Sequence, residues 1–320
     1  MKNNAIFYRK IIALIGIALL MAGITRTSRA DNERGFADKS KFTKIDVPGA
    51  AGVTAPRGIN SRGDIVGSYY VVSNNARRSR GFLLSKGTFT NIDVDLPGAR
   101  GRVDASGINP EGDIVGNYFS SVGVPGIRGI RGFLLRNGTF TKIKVPGASA
   151  TFPHGINPRG DIVGSYNIAV DPQNFIGHGF LLRKGRLTTI DVVPATLGVG
   201  TQALGINPQG HIVGSYADSS GTHGFLLIQG TFTSIDVDLP GAVPGSTTAN
   251  GINPRGDIVG SYADSSGTHG FLLSKGRFTA IDVPAAFGIG TQASGINPRG
   301  DIVGVYFDGS GNTHGFLLSK

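Results

Sequence analysis

The chain has 320 residues, no cysteine, 51 glycines and a formal net charge of +10. Without thiols there are no disulfides, no thiolate metal site and no lipidated N-terminal cysteine. High glycine without a long helical periodicity points to many short strands joined by tight turns.

At the N-terminus, Lys2, Arg9 and Lys10 precede an apolar run from Ile11 to Ile24, and Ser28-Arg29-Ala30 follows as a small-x-small cleavage pattern. That is the layout of a secretory signal peptide, residues 1–30. The run of about 14 residues falls short of the roughly 20 that span a bilayer, so we expect export with cleavage near Ala30 and no membrane span in the mature chain. Cleavage removes five basic residues and no acidic ones, which takes the charge from +10 to +5. A secreted chain of that charge, whether periplasmic or extracellular, is a poor nucleic-acid binder, although a basic face on it could still meet a glycan or an anionic envelope polymer.

Residues 31–41 read as a polar tail, and the rest is one repeat. Gly-Ile-Asn begins at Gly58, Gly107, Gly155, Gly205, Gly251 and Gly295, each time followed by a GDIVG-like run and then GFLL. A period of about 45 to 50 residues marks a propeller, solenoid or array. Within a unit we expect four strands: a segment ending in GIN, then DIVGSY, HGFLL and FTAIDV, each rich in Ile, Val, Phe, Tyr and Thr. In Asn253-Pro254-Arg255-Gly256 between the first two strands, Asn can accept a bond from the backbone two residues on. Pro presets φ and Gly supplies φ > 0, the pattern of a type I turn with a bulge. A short hairpin through Ser274-Lys275-Gly276 joins the last two strands.

The phase of the repeat is informative. Phe42 to Val47 (FTKIDV) matches the last strand of a unit with no unit ahead of it, while the final Gly315 to Leu318 (GFLL) leaves the last unit without its fourth strand. The two ends complete each other. Only a closed ring uses such a phase, and closure leaves no exposed end blade. The expectation is an all-β fold, a six-bladed β-propeller with four short antiparallel strands per blade, forming a single domain over 42–320. Its N-terminal strand completes the last blade.

The succession GINxxGDIVGxY, HGFLL and GxFTxIDVPGA resembles the extracellular repeats of the HAF family, named for a His-Ala-Phe triplet. Here that position holds His223-Gly224-Phe225, His269-Gly270-Phe271 and His314-Gly315-Phe316. The resemblance spans Phe42 to Lys320 and departs in two ways: Gly replaces the central Ala, and Arg80 and Arg131 stand where four copies have His. It implies an exported propeller-like repeat protein and brings no catalytic residues.

The repeated polar residues read mostly as frame. His178, His223, His269 and His314 share one position on a ring too wide for a single metal, which leaves them a packing or turn-bonding role, and we expect no metal and no cofactor. His211 occupies the slot held elsewhere by Asp64, Asp113, Asp161, Asp257 and Asp301, which marks that slot as a turn position. The loops at Asp218, Asp264 and Asp308 lack the carboxylate that closes a calcium site and read as hairpin turns.

Variation is concentrated just before GIN. One and three places upstream stand Arg57 and Ala55, Ser106 and Asp104, His154 and Phe152, Leu204 and Gln202, Asn250 and Thr248, and Ser294 and Gln292. Four upstream is Thr in five copies, and two upstream is Ala or Pro. Strand alternation puts the variable pair on one side. If this strand lines the channel, Arg57, Asp104, His154, Gln202, Asn250 and Gln292 form a ligand-binding ring at its mouth. On the opposite face the short turns carry Arg62, Arg159, Arg255, Lys275 and Arg299, a basic face suited to an anionic polymer. The functional expectation is a monomeric binding or scaffold module at the envelope, directed to carbohydrate, with no catalytic residues assigned. The alternative is an extracellular polysaccharide hydrolase using the same mouth.

Overall fold

The computed structural model describes residues 41–319 apart from 74, 122–128, 172–173, 195–199 and 285–286. The expected signal peptide and all but the last residue of the polar tail lie outside the described residues. No helix among the described residues is long and apolar enough to cross a membrane.

Six four-stranded antiparallel sheets form the blades. Strand β1 (Lys41–Ile45) precedes blade 1, built from β2 (Thr54–Ile59), β3 (Ile65–Ser73), β4 (Ala76–Ser85) and β5 (Thr88–Ile92). Blade 2 is β6 (Ala99–Ile108), β7 (Ile114–Ser120), β8 (Gly129–Arg136) and β9 (Thr139–Ile143). Blade 3 is β10 (Ala150–Ile156), β11 (Ile162–Ala169), β12 (Phe175–Arg183) and β13 (Arg186–Ile190). Blade 4 is β14 (Thr201–Ile206), β15 (Ile212–Asp218), β16 (Gly221–Ile228) and β17 (Thr231–Ile235). Blade 5 is β18 (Thr248–Ile252), β19 (Ile258–Asp264), β20 (Gly267–Ser274) and β21 (Arg277–Ile281). Blade 6 takes β22 (Ile289–Ile296), β23 (Ile302–Phe307) and β24 (Thr313–Ser319), and β1 is its fourth strand. The closing pair runs from Lys41 opposite Ser319 to Ile45 opposite Gly315, as the phase of the repeat requires.

Strand limits depart from the sequence reading in two places. The third strand begins before the histidine, at Gly267 in blade 5, and the fourth stops at Ile281, so Asp282 and Val283 leave the ladder. The freed Val has another use: its N–H is capped by the inner-strand Thr of the next blade, as Val283 N donates to Thr291 Oγ1 at 3.1 Å. The same bond links Val47 to Thr54, Val145 to Thr151, Val192 to Thr201 and Val237 to Thr247, which accounts for Thr four places before GIN.

The turns behave as their residues dictate. Asn60 O accepts from Gly63 N, and Asn60 Oδ1 accepts from Arg62 N at 3.0 Å, with Gly63 at φ 86°. The hairpins between third and fourth strands are two-residue turns with both central residues at positive φ, such as Lys275 (51°) and Gly276 (75°), the type I′ geometry that matches strand twist.

Hydrophobic cores lie between consecutive blades. Val66 of blade 1 packs with Ile108, Ile114, Tyr118 and Phe133 of blade 2, and Val303 of blade 6 packs with Ile59, Ile65 and Phe82 of blade 1 across the closure. The GFLL phenylalanine is almost wholly buried in all six blades, at 0–1% exposure, each worth about 2–3 kcal/mol of transfer free energy. Its ring lies over the second Gly of GDIVG. A Cβ on Gly116 would stand 2.1 Å from Asp104 O and 2.9 Å from the Phe133 ring, so only glycine fits.

The GIN asparagines weld the ring together. Asn60 Nδ2 donates to Asn109 O, and each Asn to the next in turn until Asn297 donates to Asn60 O, at 3.2 to 3.5 Å. The hexagon is buried, every Asn being 1–3% exposed. Replacing Asn157 by Ala strips bonds from Asp161 and Asn207 O, and we expect a loss of about 2–3 kcal/mol in denaturant unfolding.

Candidate functional site

The innermost strands leave a cavity of about 470 Å³ at the centre of the ring. Its wall is made by all six blades. The GIN glycines bring neighbouring strands together: a Cβ on any of them would approach the carbonyl of the residue before GIN in the next blade to 2.6 to 3.1 Å. Below the variable residues, Ile59, Ile108, Ile156, Ile206, Ile252 and Ile296 line the cavity as an apolar collar, each 7–8% exposed. The sequence reading gave these isoleucines no role at the cavity, because they are identical in all six copies.

Of the six residues expected at the mouth, Arg57, Asp104, His154, Asn250 and Gln292 line the cavity, while Gln202 does not and is exposed. Ser106, Leu204, Thr248 and Ser294 join them from the inner strands, and Asn117 and Ser261 from the second strands. The simple alternation used to group them does not hold. In every blade the register shifts between the residue two places before GIN and its Gly, making the residue immediately before GIN the extra member of a β-bulge. A bulge re-aims side chains, which is how neighbouring positions reach one cavity.

Several of these groups have no partner among the described residues: the side chains of Arg57, Asp104 and Gln292 make no hydrogen bond or ion pair there, and Asn117 Oδ1 is buried without one. By contrast, Asn250 Nδ2 donates to Ala293 O at 2.8 Å. His154 Nε2 lies 3.1 Å from Ser165 Oγ. Burial first, and then the charge of Arg57, push the His154 imidazole down to about 4 from 6.5, so it is neutral near pH 7. NMR titration should find this ring changing protonation near pH 4.

The short-turn arginines are tied down. Arg62, Arg159, Arg255 and Arg299 pair with Asp64, Asp161, Asp257 and Asp301 at 2.8 to 3.2 Å, and each also donates to a turn carbonyl of the next blade. The Asp slot is therefore a blade clasp. Asp64, Asp161 and Asp257 resist burial, whose effect alone is upward, because hydrogen bonds led by Ser85, Asn157 and Ser274 respectively, with the paired arginines, hold each carboxyl below its ordinary value. Lys275 stays exposed at its hairpin tip. In blade 4, His211 keeps the backbone bond to Asn207 Oδ1 and forfeits the carboxylate.

Each repeat-position histidine holds the Asp that follows its neighbouring fourth strand. His178, His223, His269 and His314 set Nδ1 2.7 to 3.0 Å from Asp191, Asp236, Asp282 and Asp46, and each ring lies within 5.0 to 5.4 Å of Tyr166, Tyr216, Tyr262 or Tyr306. This contact explains the departures in blades 1 and 2. Arg80 still faces Asp93 at 3.7 Å, while in blade 2 the Asp has become Lys144 and Arg131 turns to Ser149 O.

Ser220 and Ser266 stand 2.8 and 3.0 Å from Nε2 of His223 and His269, completing Ser–His–Asp sets in outline. Each hydroxyl, however, also donates to Asp218 or Asp264, at 2.6 and 2.7 Å, so its proton is directed to a carboxylate. Burial pulls the His269 pKa down, but bonds to Asp282 and Asp264 outweigh it and raise the ring above 6.5. The stabilisation from protonated His269 is complete below pH 6.5 and lost as pH rises through the raised value. Melting curves of His269→Gln and wild type should therefore differ most in mild acid and converge in alkali.

No family model matches the chain, and no curated protein matches it. Among solved structures, a sialidase of Trypanosoma rangeli in complex with sialic acid aligns with 89% of this chain and 59% of its own, at 10% identity and a TM-score of 0.51. An acylaminoacyl peptidase aligns with 85% of this chain and 44% of its own, at 10% identity and a TM-score of 0.48. A fucose-specific lectin from Aleuria aurantia aligns with 82% and 91%, at 12% identity and a TM-score of 0.45. The chain spans about half the length of the first peptidases and of the sialidase, at 44%, 51% and 59%. At this identity the sialidase likeness bears on fold alone, and with the six closed sheets it establishes an all-β, six-bladed propeller.

Proposed function

We propose that the protein is an exported HAF-type repeat propeller that binds a polar, carbohydrate-like ligand at its channel mouth. One observation carries the reading: the six blades diverge where their innermost strands enclose the cavity, and there a cation, a carboxylate and a buried amide oxygen lack partners among the described residues. An unpaired buried acceptor costs about 1–3 kcal/mol, which a ligand hydroxyl would offset. The cavity volume, 470 Å³, falls in the range of small-molecule sites. Its isoleucine collar suits the apolar face of a sugar ring, and the polar groups above suit its hydroxyls. Export rests on the basic-apolar-polar leader ending at Ala30, and N-terminal sequencing of the secreted protein should begin at Asp31.

A glycan array probed with the purified protein, repeated with Asp104→Ala, tests the binding reading. We expect array signals that fall at least tenfold in the variant at unchanged melting temperature. Equal signals in both would remove the cavity from consideration. Hydrolysis by paired carboxylates is disfavoured because Asp104 is the single carboxylate among the described lining residues, and two are needed. Release of reducing ends that stops with Asp104→Ala would reverse that choice.

A further inference from the structure

Resting on that binding reading, we infer that the ligand is an acidic oligosaccharide whose carboxylate sits on Arg57 and whose chain extends over a row of arginines at the same end of blades 1 and 2. Inside the cavity the unpartnered groups specify a bifunctional molecule. Arg57 calls for an anion, while Asp104 and Asn117 Oδ1 call for hydrogen-bond donors. A uronate residue carries both, with a carboxylate at one position and hydroxyl donors at the others. A neutral sugar leaves the Arg57 charge at the cavity wall without a counter-charge, and a simple anion leaves the two acceptors unmet.

What extends the ligand beyond one residue lies outside the cavity. Arg102 is two residues before Asp104 on β6, towards the end of the strand away from the short turns, and its guanidinium lies 5.8 Å from the Phe119 ring. Arg78, on the β3–β4 hairpin of blade 1, reaches across to blade 2, where a Cβ on Gly101 would stand 3.4 Å from its Nη1. Beside it, Arg77 lies 5.0 Å from the Tyr70 ring and donates to Ala51 O. All three side chains are exposed, and none has a carboxylate partner among the described residues. The short-turn arginines contrast with these, since Asp64, Asp161, Asp257 and Asp301 already neutralise them. Three exposed arginines without a carboxylate partner among the described residues thus stand at this end of blades 1 and 2, where repeated carboxylates of a polyuronate would meet them.

Isothermal titration of the purified protein with a tetragalacturonate, its full methyl ester, tetramers of mannuronate and glucuronate, and free amino acids tests this. We expect at least one tetrauronate to bind, and its methyl ester to bind at least tenfold more weakly. Arg57→Gln should weaken the acid at least tenfold while leaving the melting temperature and ester binding unchanged. An Arg78→Gln/Arg102→Gln double variant should flatten the salt dependence of binding. Equal affinity for acid and ester overturns the acidic class while leaving a neutral-sugar mouth standing. Acid binding indifferent to Arg57→Gln places the site elsewhere, and preferential capture of an amino acid replaces the saccharide by a small zwitterion. Binding of none of these, with neutral glycans also silent, sinks both readings.

Discussion

A chain beginning after Val47 should lose cooperative unfolding or melt far below one beginning at Lys41. The missing segment supplies the fourth strand of blade 6, with five antiparallel pairs to β24. It also buries Ile45 and Val47 in the inter-blade core, rests Phe42 5.6 Å from Phe316, and brings Asp46 to His314. Large-to-small changes at one buried aliphatic already cost about 2–5 kcal/mol, so removing all of these should cost more than about 5 kcal/mol, comparable with the whole stability of a domain. Calorimetry of the two chains decides it. A truncated protein with an unaltered transition would mean that the ring does not depend on its closing strand.

Gly116→Ala should be among the most damaging single methyl groups at the site. The added carbon would stand 2.1 Å from Asp104 O on the inner strand and 2.9 Å from the Phe133 ring in the core. Backbone must move, and overpacking of this kind costs about 3 kcal/mol. Since the displaced carbonyl belongs to Asp104, ligand binding should fall together with stability. Gly138→Ala is the control for composition: it lies at a hairpin tip with open space around it, and there the cost is only the strain of φ 75°. Urea titrations of both should separate the two mechanisms. A Gly116→Ala protein as stable as wild type would show that the inner strand can yield without loss.

His154 supplies an acid-side test of the mouth. Its ring is held at about 4 in the folded state against 6.5 when free. As pH falls from 6.5 towards 4 the unfolded chain takes up a proton that the folded chain refuses, so wild type loses stability through that window. The loss relative to His154→Gln is at most about 3 kcal/mol. Above pH 6.5 the two proteins should behave alike.

Much of the architecture could be read from local chemistry. Asn-Pro-Arg-Gly specifies its turn through φ preferences and one side-chain bond, short β-rich runs specify strands, and the offset between Phe42 and the terminal Gly315-Phe316 specifies closure. Five of the six residues singled out where the copies disagree stand at the cavity wall. Gln202 is exposed outside the cavity although Asp104 and Gln292 hold the same place in their repeats and line it, and the isoleucine collar was missed because it is identical in all six blades. Variation also says nothing of shared wall residues that all blades keep.

By itself, then, the sequence determined the number of blades, their internal order, the turn geometry and the ring, since all of these depend on interactions within a unit or on the phase between units. Only the tertiary structure decided which polar groups are spent and which are free. Arg255 and Arg57 look alike in sequence. Yet Arg255 folds back on Asp257 and clasps the next blade, while Arg57 stands at the cavity without a partner among the described residues. That distinction is made by contacts between blades, from segments roughly 45 residues apart, where no local propensity or period records which side chain meets which.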